Sequence, residues 1–525
     1  MPRTKTTHLI LASIPAWGHI RPLLVLATKL LLERDDLVLT VILAPTMVDK
    51  AHSDLETHFE HEELAPHRER IRVVAPFNTQ EHDMFKVMKE NIAAYPAAYQ
   101  TLLEEKPITC VKTGTTFEAV PAPTAIVMDF FALGQLRATR EITGTSVPVI
   151  AWLSSTASSV IRLCGPQEYG GLGGSDAQIE AEAQRTGRPF EEIAEEIYRT
   201  ANGSIINVAG IPPMYDHEFF PQLLPMKAPT APLARSAHLF FKESDGTIIT
   251  TSETYENPES MRAFREWLGS WGKSTFGLGP LLPIGYGKPT VSISSRGDTT
   301  VEAFLDKSLK KYGEKSVLFI SFGTVFWPTN MEYIDELIEA LIEKELPFLF
   351  CHASPFAKIS KEIQKKVKAS GLGLLTKWAP QQYVLTHPSV GWFLTHGGHG
   401  GITEALASGI PLIGWPFTGD QPLGIAQLET HHKVAIELVE VRTGEHGLKP
   451  IRRLGDRTPV GTREAVGREI REVIDHVRGE KGKEMAVNAA RVKKEIAQLW
   501  EEDGVGKKEL AAFLEKFVDA PRVAA

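Results

Sequence analysis

Short apolar segments alternate with helical segments along most of this 525-residue chain. The segments of the N-terminal half are apolar at nearly every position, as strands are when helices cover both faces of a parallel sheet. Helices are predicted between them at Pro22–Glu33 and Leu133–Thr143. The predicted strands of this half are His8–Ile14, Leu37–Ala44, Ile71–Pro76, Ala125–Asp129, Val147–Trp152 and Thr247–Ser252.

A second series of strands and helices follows residues 277–297, which are rich in Gly, Pro and Ser and therefore predict a linker. A helix is predicted at Met331–Lys344, and the last helical stretch, Lys481–Val518, is charged and amphipathic and is expected on the surface. The predicted strands are Ser316–Ser321, Phe348–His352, Gly391–Thr395 and Leu412–Trp415.

These two series predict an α/β fold of two tandem Rossmann-like domains that face each other across a cleft. The first domain is placed at residues 1–280, with a helical insertion at about 165–200. A linker at 281–300 leads to the second domain at 301–495. The remaining residues, 496–525, are predicted as a C-terminal helix that could pack back on the first domain.

Composition restricts the partners and the compartment. The formal net charge of −8 argues against binding driven by nucleic-acid phosphates. The three cysteines lie far apart and form no Cys-x-x-Cys motif, as expected in a reducing compartment. No run of about 18 apolar residues predicts a membrane span, and Pro15 and Gly18 interrupt the short N-terminal apolar run that could resemble a signal peptide. We therefore expect a cytoplasmic protein. We also expect the protein to be a monomer.

Two polar clusters follow consecutive predicted strands of the second domain. The first is His396-Gly397-Gly398-His399-Gly400-Gly401, and a helix is predicted directly after it at Ile402–Ser408. Ligands of parallel sheets bind at the carboxyl ends of strands. Glycines allow close backbone approach, and a helix N-terminus carries partial positive charge, so this loop is suited to a pyrophosphate.

The side chains near this loop suit the other parts of a nucleotide sugar. His396 adds a donor at the phosphates, and Glu404, in the predicted helix, could accept hydrogen bonds from ribose hydroxyls. Asp420 and Gln421 end the second cluster and suit sugar hydroxyls. No Gly-x-Gly-x-x-Gly follows the first strand and no Walker A sequence occurs, so neither a dinucleotide site nor a P-loop is predicted.

The block from Trp378 to Gln421 resembles the nucleotide-sugar box of family 1 UDP-dependent glycosyltransferases, which have the GT-B fold and include the plant natural-product glucosyltransferases. The resemblance implies that Trp378 stacks on the uracil ring, that Glu404 binds the ribose, and that Asp420 and Gln421 hold the sugar. The turn Ser321-Phe322-Gly323-Thr324 also resembles the Ser-Phe-Gly-Ser/Thr turn of this family. The other donor-site residues that the resemblance implies are Ala379, Gln381, His396, Gly398, Gly400, Gly401, Thr324 and Gly18.

A catalytic pair is predicted in the first domain. Residues 15–22 are similar to the family's first loop, which carries a catalytic His, here His19. Residues 127–131 resemble the segment that carries its partner Asp, here Asp129. A His that titrates at about pH 6.5 suits a general base, and an Asp on its other nitrogen fixes the tautomer. From the sequence, His19 is expected in the loop after the first strand.

The chain departs from the family at two places. Relatives usually have Asn where Gly400 stands, so backbone amides would have to replace that side chain at the phosphates. Relatives often have Thr after the Trp that corresponds to Trp152, whereas this chain has Leu153, which has no hydroxyl for a contact with the sugar.

We predict an inverting transferase that moves a sugar from a UDP-sugar to a hydroxyl of a hydrophobic small molecule, and the family resemblance at Gln421 implies that this sugar is glucose. No metal and no cofactor are expected, because the chain lacks the Asp-x-Asp metal clamp of the other large transferase fold. The acceptor pocket is expected to be aromatic, as in many small-molecule sites. Its predicted residues are Phe85, Tyr95, Phe130, Phe131, Trp152 and Phe417.

Two alternatives stay open at this point. A sugar-nucleotide epimerase could use the same two-domain fold, and it would turn over a UDP-sugar without any acceptor. A catalytically silent, transferase-like auxiliary protein is the other alternative, although the presence of both His19 and Asp129 argues against it.

Overall fold

A computed structural model describes residues 6–225, 229–287 and 297–519. It contains two parallel sheets, one from each half of the chain, each with helices between its strands. The predicted α/β fold of two Rossmann-like domains is confirmed. The predicted linker at 281–300 lies partly outside the described residues, and the predicted domain boundaries stay a prediction.

The first sheet has seven strands in the order β11-β10-β7-β6-β1-β2-β3, and every neighbouring pair is parallel. Its strands are almost entirely buried, which explains their continuous apolar sequence. Two antiparallel two-stranded pairs, β4–β5 and β8–β9, complete the strands of this half. The bounds are β1 Thr7–Ala12, β2 Leu37–Ile42, β3 Ile71–Val74, β4 Ile108–Thr109, β5 Thr116–Phe117, β6 Ala125–Asp129, β7 Val149–Leu153, β8 Ile205–Ile206, β9 Met214–Tyr215, β10 Gly246–Ile249 and β11 Ser274–Gly277.

The second sheet has six parallel strands in the order β14-β13-β12-β15-β16-β17. All predicted strands of both sheets are confirmed, several of them ending earlier than expected. The strands β11, β14 and β17 were not among the predicted strands. The bounds are β12 Val317–Ser321, β13 Phe348–Cys351, β14 Gly373–Thr376, β15 Val390–Thr395, β16 Leu412–Gly414 and β17 Ala435–Glu437.

Nineteen α-helices are formed by the described residues. The helices of the first half are α1 Trp17–Glu33, α2 Pro45–Phe59, α3 Met84–Leu103, α4 Leu133–Thr143, α5 Ala157–Cys164, α6 Asp176–Thr186, α7 Phe190–Arg199, α8 Thr230–Glu243 and α9 Pro258–Ser270. Those of the second half are α10 Thr299–Tyr312, α11 Met331–Glu343, α12 Lys361–Ser370, α13 Gln381–Thr386, α14 His399–Ser408, α15 Gln421–Gln427, α16 Gly444–Gly447, α17 Arg463–Arg478, α18 Glu480–Gln498 and α19 Val505–Leu514.

Two helices begin earlier than their sequence suggests, and both carry predicted site residues. Helix α1 begins at Trp17 rather than at Pro22, so His19 lies in its first turn and not in a loop. Helix α14 begins at His399 rather than at Ile402, so Gly400 and Gly401 also belong to a first turn. Proline inside α1 and glycine inside α14 are poor helix residues, and tertiary contacts override their low propensity.

The predicted insertion at 165–200 contains α6 and α7, which bury a small apolar cluster of their own with α8. The C-terminal stretch forms two helices instead of one. Helix α18 packs against α14 and α17, whereas α19 packs against β11 of the first sheet. Leu510 and Phe513 of α19 are buried in the first sheet's core, so this segment is not simply a solvated surface helix. Within the described ranges, no helix is both long and apolar enough to cross a bilayer.

Candidate active site between the two sheets

The His19–Asp129 pair is formed in the structure. His19 Nδ1 lies 2.8 Å from Asp129 Oδ2, and Asp129 is fully buried at the end of β6. Ser13 Oγ also donates to Oδ2, at 3.2 Å, and the Phe131 amide donates to Oδ1, at 3.1 Å. These donors fix the carboxylate, which in turn fixes the imidazole with its Nε2 atom on the opposite side of the ring. The imidazole is therefore oriented for proton transfer at Nε2.

Burial and two carboxylates act on the pKa of His19 in opposite directions. Burial lowers the pKa of the imidazole, but Asp129, which accepts its hydrogen bond, and the nearby Asp420 outweigh burial and hold that pKa above its ordinary value. Asp420 belongs to the second domain, so carboxylates from both domains raise the pKa of His19. A base with a raised pKa binds a proton more tightly once it has taken it.

The helix turn that carries His19 is fastened from β7. Pro22 has no amide hydrogen, so the Gly18 carbonyl loses its helical partner four residues later. Ser154 Oγ donates to that carbonyl at 2.7 Å, and Trp152 Nε1 donates to the carbonyl of His19 at 3.0 Å. Trp152, predicted at the acceptor, is fully buried and acts through the backbone of His19.

The predicted acceptor residues divide into two groups. Phe130 and Phe131 lie beside His19, with ring centroids 6.1 and 5.9 Å from the imidazole, and Phe85 is partly exposed in the first turn of α3. Tyr95 and Phe417 are fully buried. The Tyr95 hydroxyl bonds Thr139, and Phe417 packs on Phe322 and Phe326, so both positions correct the expectation that these rings face an acceptor.

The glycine loop after β15 has the conformation that a close backbone approach requires. Gly397 has φ +84° and a side chain there would meet Ile425, and a side chain at Gly398 would meet the His396 ring. At Gly400 there is open space where a side chain would begin. The amides of Gly400 and Gly401 are in the first turn of α14, where they have no partner within the helix. The loop can therefore offer two amides to an anion.

His396 lies against the turn that follows β12. A side chain at Gly323 would meet the His396 ring, which brings the predicted phosphate residue Thr324, exposed in this turn, to the same end of the sheet. Burial lowers the pKa of His396 to about 4. At neutral pH the ring is uncharged, so it can donate a hydrogen bond but cannot neutralise phosphate charge.

The Glu404 carboxylate accepts hydrogen bonds from three side chains. Its Oε1 atom accepts from Arg21 Nη1 at 2.6 Å and from Gln382 Nε2 at 2.9 Å. Its Oε2 atom accepts from Gln381 Nε2 at 2.8 Å. The sequence predicted Gln381 in the donor site, but Arg21 and Gln382 were missed. Arg21 comes from α1, which makes it a contact between the two domains.

Asp420 directly precedes α15, and Gln421 is the first residue of that helix. Gln421 is buried, and its Oε1 atom accepts from the amides of Phe417 and Thr418 at 2.8 and 3.2 Å. Its side-chain oxygen is therefore committed to this turn, and the NH₂ group remains for a ligand. Burial raises the pKa of Asp420. The Asp420 side chain, unlike that of Gln421, is partly exposed.

Contacts between the domains close the site from one side. His399 Nε2 lies 3.0 Å from Thr250 Oγ1, which follows β10, and Ser159 Oγ of α5 lies 3.4 Å from the Asp420 carbonyl. Burial lowers the pKa of His399 to about 4, so it is neutral at physiological pH. These bonds hold the carboxyl ends of the two sheets opposite each other, as a cleft between Rossmann-like domains requires.

Trp378 lies at the outer end of the site and is 47% exposed, which leaves its ring available for stacking. A cavity at the carboxyl ends of β13 and β14 is lined by His352, Ser354 and Lys377, the last being the neighbour of Trp378. Ala379, also predicted here, is buried. Within residues 6–225, 229–287 and 297–519, no group of three or more His, Cys, Asp or Glu side chains is arranged to hold a metal ion.

The sequence of this chain is similar to those of known proteins. UDP-glycosyltransferase eriJ of Hericium erinaceus is 30% identical over 527 residues, which cover 98% of this chain and 99% of the relative. The chain belongs to the UDP-glycosyltransferase family. The model of the family described as "UDP-glucoronosyl and UDP-glucosyl transferase" matches residues 293–448 of this transferase. UDP-glucosyltransferase 45 of Panax ginseng is 28% identical over 53% of this chain and 57% of its own length.

Solved structures of other UDP-glycosyltransferases share the fold. Medicago truncatula UGT71G1 complexed with UDP-glucose has a TM-score of 0.68 at 17% identity, with 98% of both chains covered. Phytolacca americana UGT2, complexed with UDP-2fluoro-glucose and pterostilbene, has a TM-score of 0.67 at 18% identity over 98% of this chain and 100% of that chain. This transferase therefore moves a sugar from a UDP-sugar, which sets aside the epimerase and the catalytically silent protein.

Proposed function

We propose that this UDP-glycosyltransferase transfers glucose, with inversion, from UDP-glucose to a hydroxyl of a hydrophobic small molecule, with His19 as general base. The observation that carries the proposal is the 2.8 Å contact between His19 Nδ1 and the buried carboxylate of Asp129, beside the Asp420 carboxylate. Asp420 and Gln421 would hold the sugar, so the base lies next to the reacting carbon.

The donor would bind along the carboxyl end of the second sheet. Trp378 would stack on the uracil ring and Glu404 would accept hydrogen bonds from the ribose hydroxyls. The amides of Gly400 and Gly401 would bind the pyrophosphate, supported by the start of α14, with His396 and Thr324 as further donors. The open space at Gly400 supports this assignment, because phosphate oxygens can approach the backbone there without meeting a side chain.

The reaction would be a single displacement. The acceptor hydroxyl gives its proton to His19 Nε2 while its oxygen bonds the anomeric carbon. The bond between that carbon and the β-phosphate oxygen breaks, and UDP leaves with the electron pair. Asp129 stabilises the imidazolium that forms, and His19 afterwards releases its proton to solvent. Attack opposite the leaving group converts an α-linked donor into a β-glycoside.

Phe131 supports a hydrophobic, aromatic acceptor, because its ring is partly exposed and its centroid lies 5.9 Å from that of the His19 imidazole, whereas Phe130, at 6.1 Å, is buried. The structural relatives act on or bind molecules of this kind: one was solved with pterostilbene, and another is described as capable of glucosylating indoxyl. A mass-spectrometric screen of phenols, polyketides, terpenoids and lipid alcohols with UDP-glucose, UDP-galactose and UDP-glucuronic acid would identify the acceptor and test the preference for glucose.

His19→Ala tests the mechanism. Loss of the base should lower turnover by about 10²–10⁴-fold, while the Kd of UDP-glucose stays nearly unchanged because His19 makes no donor contact in this scheme. His82→Ala, a substitution at an exposed His, is the matched control. Turnover of His19→Ala at the wild-type level would disprove the assignment.

Transfer is also proposed to need no divalent metal, because amides at the start of α14 can meet the phosphate charge. Activity in EDTA should therefore equal activity in added Mg²⁺ or Mn²⁺. Loss of activity in EDTA, with recovery on adding either ion, would contradict this part of the proposal.

A further inference from the structure

Arg21 forms an ion pair with the ribose-site carboxylate across the two domains. Its Nη1 atom donates to Glu404 Oε1 at 2.6 Å, and both side chains are largely buried, at 20% and 7% exposure. Arg21 belongs to α1, two residues after His19, whereas Glu404 belongs to α14 of the second domain. The pair therefore joins the helix that carries the base to the helix that would bind the donor.

The hydrogen-bonding capacity of Glu404 limits what it can hold at once. A carboxylate offers about four acceptor positions, two on each oxygen. Arg21 and Gln382 occupy both positions of Oε1, and Gln381 occupies one position of Oε2. One position remains, but two ribose hydroxyls need two. One of the three protein donors must therefore leave before both hydroxyls can bind.

Arg21 is the donor that can leave most readily. Gln381 and Gln382 begin α13, which packs against α14 in the same domain, so their position relative to Glu404 is fixed locally. Arg21 reaches Glu404 from the other domain. It also has a second carboxylate within its own domain, since its Nε atom lies 3.4 Å from Asp54 Oδ1 of α2. When Arg21 leaves Glu404, its charge keeps a partner.

We propose that Arg21 competes with the donor ribose for Glu404 and so sets the affinity of the enzyme for UDP and UDP-sugars. Binding of the ribose moves Arg21 onto Asp54, and return of Arg21 to Glu404 helps to expel UDP after transfer. Arg21 is a positioning residue in this role, not a catalytic one. The inference rests on the proposed function, because the ribose role of Glu404 belongs to that proposal.

The test compares UDP with 2′,3′-dideoxy-UDP, which lacks both ribose hydroxyls, by calorimetry on the full-length enzyme. The measured quantity is the Kd of 2′,3′-dideoxy-UDP divided by the Kd of UDP, which reports how much the two ribose hydroxyls contribute to binding. Loss of the Arg21 charge also weakens phosphate attraction, but it does so equally for both ligands and cancels in the ratio. In Arg21→Met the ratio should rise about tenfold above that of the wild type, because an uncontested charged acceptor is worth about a factor of ten or more.

Two further variants keep the result interpretable. Arg21→Lys keeps a positive charge near Asp54 if Arg21→Met does not fold. Because a lysine ammonium lacks the separate Nε and Nη1 donors with which Arg21 contacts the two carboxylates, its hold on Glu404 should weaken and the ratio should still rise. Arg34→Met is the matched control, since Arg34 directly follows the same helix, pairs with Asp36 and Asp519, and is about 20 Å along the axis from Arg21. Its ratio should equal that of the wild type.

The outcomes separate the inference from the function. Glu404→Gln should abolish the preference for UDP over the dideoxy ligand. If Glu404→Gln does so while both Arg21 variants keep the wild-type ratio, the competition is disproved and the ribose role stands. If UDP does not bind, or if Glu404→Gln keeps the full preference, the ribose assignment itself fails.

Discussion

Ser154 donates its hydroxyl hydrogen to the carbonyl of Gly18 at 2.7 Å, although 136 positions separate the two residues. That carbonyl would accept the amide of residue 22 in an ordinary helix, but residue 22 is a proline. Relatives often carry Thr at the neighbouring position 153, where this chain has Leu. The hydroxyl of Ser154 is instead used to complete the helix turn that holds His19.

Ser154→Ala should lower the free energy of unfolding by about 0.5–1.5 kcal/mol, because it removes a part-buried hydrogen bond to the Gly18 carbonyl. It should also lower turnover, since the turn that orients His19 loosens, with little change in the Kd of UDP-glucose. Urea unfolding and steady-state kinetics measure the two effects. Ser155→Ala, at a partly exposed neighbour, is the control. Equal stability of the two variants would contradict this role of Ser154.

Activity should rise with pH through an apparent pKa above about 6.5, because His19 acts as a base only when it is neutral and its pKa is raised. Asp129→Asn removes the main group that raises this pKa while burial still lowers it. The acid limb of the pH–rate profile should therefore move to lower pH, and the plateau should fall by about 10²–10⁴-fold. Asp503→Asn, at an exposed Asp, should change neither the acid limb nor the plateau of the profile. An unmoved limb in Asp129→Asn would mean that another group titrates.

Asp420→Asn should weaken binding of UDP-glucose while the Kd of UDP stays close to the wild-type value, because Asp420 is proposed to contact only the sugar. Loss of hydrogen bonds to a charged group predicts an effect of about tenfold or more on the UDP-glucose Kd. Calorimetry with both ligands measures the difference. Gln421→Ala should in addition lower stability, since its side chain also accepts two backbone amides. Equal losses for UDP and UDP-glucose in Asp420→Asn would contradict the sugar role.

A buried ion cluster in the second domain should matter for stability but not for chemistry. Glu437 pairs with Arg442 and Arg453, and all three side chains are at most 2% exposed. Glu437→Gln leaves two buried guanidinium groups without their shared carboxylate and should cost about 3–5 kcal/mol of unfolding free energy. Arg188→Gln breaks exposed pairs with Glu192 and Glu196 and should cost less than about 1 kcal/mol. Chemical denaturation compares the two variants, and similar midpoints would refute the contrast.

Much of the donor site could be predicted because its residues follow one another along the chain. Trp378, the glycine loop, Glu404, Asp420 and Gln421 lie within 44 residues, and the sheet places them at one edge by its topology alone. The individual contacts of this block were not predicted. The Gln421 side chain accepts a hydrogen bond from the nearby Phe417 amide, and the Glu404 carboxylate accepts one from Arg21.

The order of strands and helices, the two-domain fold and the residue types at the carboxyl ends of the strands were determined by the sequence, because apolar periodicity and turn residues act over short distances. Only the tertiary structure decided which side chains meet. Ser13 reaches Asp129 across 116 positions, and Arg21 reaches Glu404 across 383. It also decided that His19 lies in a helix and that Tyr95 and Phe417 are buried. Such contacts depend on packing between distant segments, on which local propensity has no bearing.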